Sequence, residues 1–357
     1  MKTYLVGGSV RDELLGLPVQ DHDFVVVGAT PAQMAELGFR PVGSDFPVFL
    51  HPGTQEEYAL ARTERKTAPG YKGFVFHADA SVTLEEDLKR RDLTINAMAR
   101  GDDGRLVDPH GGEKDLRAGV LRHVSDAFAE DPVRILRVAR FAARFGFSIA
   151  PETLALMKRM VQSGEADALV PERVWQELAR GLMEKNPSKM IAVLHECGAL
   201  GRIFPEVDRS LAAGKLATRL DDAAARGYAL PVRFALLVLD VDAEAIAALA
   251  QRVNAPNDCR DAARLSVQVR GTIRGKDAES VLSLLERCDA FRRPDRFEQL
   301  IEVAECDAPG VPRALLMAAL EAARNVDAGA IARDNAADIP GALRKARLAA
   351  VRGQTPS

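Results

Sequence analysis

Two aspartates in the first tenth of this chain carry the strongest chemical signal. Asp21-His22-Asp23 precedes the apolar run Phe24–Val27. On a strand, residues two apart point to the same face, about 6.5–7 Å apart. Such crowding of acids is unfavourable unless a cation sits between them. Hard oxygen ligands of this kind suit Mg²⁺, and two such ions would clamp a phosphoryl transfer. A lone Asp-x-Asp is ordinarily a charged strand start, so the neighbouring residues decide the reading. A dozen positions earlier, Thr3-Tyr4-Leu5-Val6 reads as a strand, Gly7-Gly8 as a tight turn and Ser9-Val10-Arg11-Asp12 as a helix start. Glycine lets backbone approach a bulky anion, and a helix start offers unpaired N–H groups to phosphate oxygens. Arg11, in that first turn, can grip a triphosphate with two parallel bonds. His22 falls on the opposite strand face and is read as structural.

A second group lies at Asp131-Pro132-Val133-Arg134, continued by Arg137 and Arg140. Asp before Pro is a helix N-cap signal, and arginines at steps of three drift slowly around one helix face. That spacing commonly marks a solvated basic stripe; here it begins with an acid that can accept hydrogen bonds and an arginine that can donate them. Asp92 and Asn96, four apart on an expected helix and next to Arg91, form a third polar pair. Glu57, on an expected strand, is either an exposed strand residue or a third carboxylate beside Asp21 and Asp23.

The elements that must position these residues change character near residue 140. Before it, β-type runs (Thr3–Val6, Phe24–Val27, Val48–His51, Glu57–Ala61, Arg105–Val107) alternate with helical patterns at Val10–Gly16, Pro31–Glu36 and Leu84–Ala99. After it, apolar residues recur at helical spacing, and Pro151, Pro171, Pro187, Pro231 and Pro256 fall where helices start or break. The expected fold is α+β: a mixed α/β head followed by an all-α remainder. With 47% apolar and 28% charged residues, the chain has ample core material. A net charge of −3 excludes a generally polycationic protein but not a local basic face. Cys197, Cys259, Cys288 and Cys306 are too scattered for a disulfide framework or a zinc site. No stretch of about 18 uncharged apolar residues exists, so no membrane span is expected. Met1 runs directly into strand-like sequence without an export leader, which gives a cytoplasmic expectation.

The ordered motifs resemble those of the class II tRNA nucleotidyltransferases and their bacterial poly(A) polymerase relatives, most closely the bacterial CCA-adding subgroup. The resemblance runs from Met1 to about residue 207. It includes Gly7–Asp12, Asp21–Asp23, Arg90–Ala97, Asp108-Pro109 through Leu116, Glu130–Arg134 and Glu172-Arg173 with Glu177. Phe46–Leu50 and Leu60–Arg65 also look like family segments. It implies a polymerase beta-like nucleotidyltransferase head (1–140), a helical neck (141–207), a helical body (208–300) and a helical tail (301–357). It implies template-independent addition of CCA to the 3′ end of tRNA from CTP and ATP, releasing pyrophosphate. Carried over residue by residue, Asp21 and Asp23 hold Mg²⁺ and are catalytic. Gly8, Arg11, Arg91, Arg137 and Arg140 hold the triphosphate, Arg91 and Asp92 approach the sugar, and Asp131 and Arg134 read the base edge. Asp108–Leu116 resembles the family's flexible loop, and Glu172, Arg173 and Glu177 resemble the element that braces the neck. An A-adding, CC-adding or poly(A)-forming enzyme of the same family, or an inactive RNA-binding relative, are the alternatives.

The sequence departs from the bacterial pattern beyond the neck, where relatives carry a histidine- and aspartate-rich HD phosphohydrolase site. All six histidines precede residue 196, and Leu236–Asp240 stands where an HD pair is expected. Neither phosphatase nor phosphodiesterase activity is therefore expected. Arg260, Arg264, Arg270 and Arg274 are read as ordinary surface arginines or RNA contacts, and so is the basic stretch from Gly341 to the C-terminus.

Overall fold

Period-two alternation in the first strands builds a sheet that is apolar on both faces. The computed structural model describes residues 1–19, 21–42, 48–66, 74–77, 79–335 and 337–355. Five elements make the centre of the head: β1 (Lys2–Val6), β2 (Asp23–Val27), β3 (Arg40–Val42), β4 (Val48–Leu50) and β5 (Glu57–Leu60). Strands β6 (Thr63–Lys66) and β7 (Phe74–His77) form a separate hairpin, while β8 (Ala99–Gly101) and β9 (Leu106–Val107) extend the main sheet. The order is β3-β4-β5-β2-β1-β8-β9, with β1 antiparallel to β2 and β8, and β2 parallel to β5. Adjacent valines of β2 serve opposite faces, as a pleat requires. Val25 packs with Val6, Leu84, Leu88 and Ala99, whereas Val26 packs with Met34, Phe49 and Leu60.

Short capped helices close the head. α1 (Gly8–Leu14) follows β1 directly, and α2 (Pro31–Glu36) and α3 (Leu84–Lys89) each begin with a complete capping box, from Thr30 and Thr83. The expected helix over Leu84–Ala99 stops at Lys89. Beyond it the Asp92 carboxylate accepts the N–H of Leu93 and the amide of Asn96, and Leu93 makes a β-bridge to His123. These local bonds compete with the helical ladder and convert the segment into a single 3₁₀ turn, Thr94–Asn96. Asp92 and Asn96 still meet, through the turn rather than a helix face. The Asp108–Leu116 segment is not an open loop: the Asp108 carboxylate caps α4 (Gly112–Ala118) by accepting the N–H groups of Gly112 and Glu113. Gly112 lies so close to the turn that a Cβ there would stand 2.2 Å from the Thr94 carbonyl oxygen. Strand structure also persists past residue 140, in the short parallel pair Val120–Leu121 and Ser148–Ile149.

α5 (Val133–Phe145) carries the second half of the chemistry. Ile135, Leu136, Val138, Ala139, Ala142 and Ala143 are buried, which leaves the arginines on the remaining face, and Gly146 ends the helix in the left-handed conformation. α6 (Pro151–Gln162) and α7 (Pro171–Met183) follow.

Contacts divide the chain into two compact units, Met1–Glu177 with Lys189–Ile203, and Leu178–Ser188 with Phe204–Ser357. The second unit is helical. Its core joins the helices Ala278–Arg287, Pro294–Asp307, Arg313–Arg324 and Ile339–Arg352 through Leu282, Leu285, Phe297, Leu300, Leu316, Leu320 and Val351. The four cysteines are free thiols; burial pushes Cys259 and Cys306 up to about 12 and Cys288 to about 11, so none is a ready nucleophile. Among the described residues, no helix is long and apolar enough to cross a membrane.

Candidate active site

The chemistry-bearing residues of the first unit converge on a cavity of about 600 Å³. Nine arginines and four carboxylates line it, so its wall is strongly positive and suits a polyanion. Gly8, Arg11, Asp23, Arg91, Asp92, Asp131, Arg134, Arg137 and Arg140 all face it. Asp21 lines an adjoining recess of about 500 Å³, which shares Asp23 and Glu57 with the cavity.

The acid pair is set by more than strand pleat, since β2 begins only at Asp23. The buried Ser9 hydroxyl donates to the Asp21 carbonyl (2.8 Å) and accepts the Asp23 N–H (3.4 Å), tying the aspartate segment to α1. Parallel pairing of β2 with β5 places Glu57 opposite Asp23. Partial burial pushes the Asp23 carboxyl up; Arg91 opposes this, Asp21 adds to it and His22 opposes it. Both aspartates and Glu57 are exposed hard-oxygen donors around one recess, and the cost of crowding them falls when a divalent cation binds. Among the described residues no three acid, histidine or cysteine side chains stand close enough together to form a metal-holding group, so the candidate donors are the aspartate pair alone. His22 turns instead to Glu56, 3.1 Å away.

Gly7 adopts φ 71°, open to glycine, and a Cβ there would fall 2.7 Å from Arg91 Nη1. The turn therefore brings backbone against a cavity arginine. Arg11 is more enclosed than a first-turn arginine would suggest. Its guanidinium donates to Asp12 and to the Asn96 side-chain oxygen and lies about 5 Å from the ring centres of Phe141 and Phe145. Burial lowers its pKa, against the charge of Asp12. Arg91 donates to the Asn96 carbonyl and to the Asp87 carboxylate.

On α5, the arginines are held by partners that lie far apart in sequence. Arg137 Nε donates to Asp92 at 2.7 Å, and Arg140 Nε donates to Glu177 of α7. Burial alone would raise the Asp92 carboxyl, but Arg137 and the Asn96 amide outweigh it and hold it well below the ordinary carboxylate range. Arg134 donates to the carbonyls of Ala127 and Arg90. Asp131 caps the helix by accepting the Val133 N–H, and also receives both arms of Arg173 at 3.1 and 2.8 Å. The expected cap at Asp131 and its place at the cavity thus coexist.

Sequence reasoning named Ser9, Arg62 and Arg90 only within motif segments, without a role, and passed over Asp87 and Arg144. Asp87 was legible, being an acid three and four positions before Arg90 and Arg91 on a helix. Arg144, which pairs with Asp12 at 2.9 Å, continues the stripe from Arg140 by one turn. Phe46 and Pro47 lie outside the described residues. In the second unit, Arg270 is partly exposed and forms ion pairs with Asp240 and Asp307.

Comparison with known proteins places this geometry. The Poly A polymerase head domain matches residues 3–122, and the probable RNA and SrmB-binding site of polymerase A matches residues 146–211. A multifunctional CCA protein of Azoarcus sp. (strain BH72) is 53% identical, covering 99% of this chain and 97% of the relative. That match runs over 399 positions, more than the 357 residues here, so the relative carries residues this chain lacks. A CCA-adding enzyme solved with CTP has a TM-score of 0.72 at 26% identity, covering 99% of this chain and 88% of the other. The structure of a CCA-adding enzyme with ATP gives 0.69 at 25%, covering 99% and 87%. With a relative 53% identical over nearly the whole of both chains and the head-domain match over residues 3–122, the chain belongs to the multifunctional CCA proteins, a branch of the class II tRNA nucleotidyltransferases.

Proposed function

We propose that this chain builds or repairs the CCA end of tRNA, using CTP and ATP without a nucleic-acid template. The observation that carries this reading is the meeting of an acid pair with an arginine-lined cavity large enough for a nucleoside triphosphate. The tRNA 3′-hydroxyl attacks the α-phosphate and pyrophosphate leaves. Asp21 and Asp23 would hold Mg²⁺; bound there, the ion would lower the pKa of the attacking hydroxyl and neutralise charge on the leaving group. Gly8, Arg11, Arg91, Arg137 and Arg140 hold the triphosphate, and Asp92 orients Arg137 and approaches the sugar.

Asp131 and Arg134 read the base edge, with the carboxylate held in place by Arg173. Two-pronged pairing of this kind gives about 1–3 kcal/mol of discrimination per base. The first 140 residues act as the nucleotidyl-transferring head, 141–207 as neck, and 208–300 and 301–357 as body and tail. The histidine-free body serves packing and RNA contact rather than phosphoester hydrolysis, and the enzyme works in the cytoplasm.

The test uses purified protein, Mg²⁺, labelled CTP or ATP, and tRNAs ending at the discriminator base, at C or at CC. Two C additions followed by one A are expected. Open-ended A tails or C-only products would move the chain to one of the narrower or polymerising activities. The double variant Asp21→Ala/Asp23→Ala should lose incorporation by about three orders of magnitude while still binding tRNA. Surviving activity in that variant would remove the acid pair from the chemistry.

A further inference from the structure

Asp87 does not line the cavity, yet the arginines that do are organised around it. Its side chain is fully buried at the end of α3. One oxygen accepts Arg90 Nε (3.1 Å), Arg90 Nη2 (2.8 Å) and the backbone N–H of Arg62 (3.3 Å); the other accepts Arg91 Nη2 (3.3 Å). Three of these donors are guanidinium N–H groups of Arg90 and Arg91, and the fourth is the backbone N–H of Arg62; all three residues line the cavity. Arg90 Nε also donates to the Arg62 carbonyl, closing a ring of bonds around the acid.

We propose that Asp87 is a positioning residue for nucleotide binding, the buried counter-ion that fixes Arg90 and Arg91 toward the triphosphate before substrate arrives. The inference rests on the CCA-adding reading and adds a residue to its machinery. Its physical basis is electrostatic. Two adjacent guanidinium groups repel, and without a counter-ion they would turn apart or out to water when no phosphate is bound. Burial would raise the Asp87 carboxyl, but the charges of Arg90 and Arg91 outweigh it and hold it below the ordinary carboxylate range. The anion is therefore present whenever the protein is folded near neutral pH. Arg91 is also restrained on its other side, where it touches the Asn96 carbonyl beside the Gly7 turn. Holding donors in their bound geometry lowers the ordering cost of binding a triphosphate. Both side chains that Asp87 holds in these bonds are arginines of one cavity.

The experiment measures CTP affinity, steady-state incorporation and thermal melting for the wild-type chain, Asp87→Asn, Arg91→Ala and the double variant. Asn keeps the size of the side chain but presents an amide to Arg91 in one rotamer or to Arg90 in the other. Asp87→Asn is expected to raise the Kd for CTP about tenfold, with kcat at saturating CTP changed by less than about threefold. The double variant is expected to lose less than the product of the two single losses, because part of the acid's effect runs through Arg91 and the rest through Arg90. Unchanged Kd in Asp87→Asn, or losses that multiply in the double variant, would overturn the proposal.

Should Asp87→Asn fail to fold, guanidinium relaxation in the nucleotide-free wild-type chain decides the matter. Arg90 and Arg91 as rigid as the backbone support the role, and freely averaging side chains refute it. A wild-type chain with no affinity for CTP would instead sink the nucleotidyltransferase reading, an outcome distinct from a wild type that binds and an Asp87→Asn variant that binds equally well.

Discussion

Two arginine–carboxylate networks in this molecule use the same chemistry for opposite ends. In the first unit, Arg137 pairs with Asp92 and Arg140 with Glu177, at the wall of a cavity of about 600 Å³. In the second, Arg219 and Arg270 share Asp240 and Asp307, beside a void of only about 10 Å³. In the second network two arginines face two carboxylates, so its charges largely satisfy one another. The first has an excess of guanidinium groups over carboxylates and space in front of them. Ion pairing alone therefore does not distinguish a binding wall from a structural clasp; the free volume and the local charge balance do.

The sharpest way to break this contrast is to remove one arginine from each side. Arg219 is 2% exposed and contacts both Asp240 and Asp307. Arg219→Ala leaves those carboxylates with less compensation and should cost about 3–5 kcal/mol of stability, read from denaturant unfolding. The KM for CTP of the protein that remains folded should not change. Arg137→Ala should do the reverse. Its loss in kcat/KM is expected at about 10–100-fold, whereas Asp92 keeps the Leu93 N–H and the Asn96 amide and the fold loses less than with Arg219→Ala. If Arg219→Ala weakened CTP use without destabilising the protein, the second network would be functional and the contrast would collapse.

These two networks also mark how far the sequence could be read. The Gly7-Gly8 turn and the α5 arginines were legible because each is local: turn chemistry and helical spacing act over a few residues, whereas the strand spacing expected for Asp21 and Asp23 does not hold, since β2 begins at Asp23. The head strands, the helix-starting prolines and the change of character near residue 140 were legible for the same reason. What the sequence hid was partnership at long range. Nothing near Arg140 announces Glu177, and nothing near Arg270 announces Asp307. Arg270 read as a surface or RNA-contacting residue; it is partly exposed, and its two carboxylate partners are what the sequence did not show. The helix expected over Leu84–Ala99 failed because Asp92 found bonds to Leu93 and Asn96 that the periodicity of apolar residues cannot register.

The second network makes a prediction in acid. Burial would raise the Asp240 and Asp307 carboxyls, but hydrogen bonds and charge from Arg219 and Arg270 outweigh it and hold both below the ordinary range. A carboxylate with a depressed folded pKa contributes stability that is fully present above the unfolded value, about 3.9 for Asp, and lost as pH falls through the folded one. Arg270→Met removes one of the two cations, so the folded pKa values rise and acid unfolding should begin at a higher pH than in the wild type. Circular dichroism against pH reads the shift; an unmoved acid transition would mean that Arg270 contributes nothing to the depression.

The smallest effect is expected at Arg344, in the basic stretch near the C-terminus. Its guanidinium reaches Glu279 and Glu286, but all three side chains are substantially exposed, where solvent and salt screen the attraction and ordering long side chains offsets it. Arg344→Ala should therefore move the melting temperature by no more than about 1 °C. The same variant sharpens the comparison from the RNA side. A guanidinium already occupied by two glutamates has little to gain from a phosphate, so tRNA affinity and its salt dependence should stay within about twofold of wild type. A clear loss of affinity together with a shallower salt slope would instead mean that the phosphate backbone displaces the glutamates, and that this stretch grips RNA.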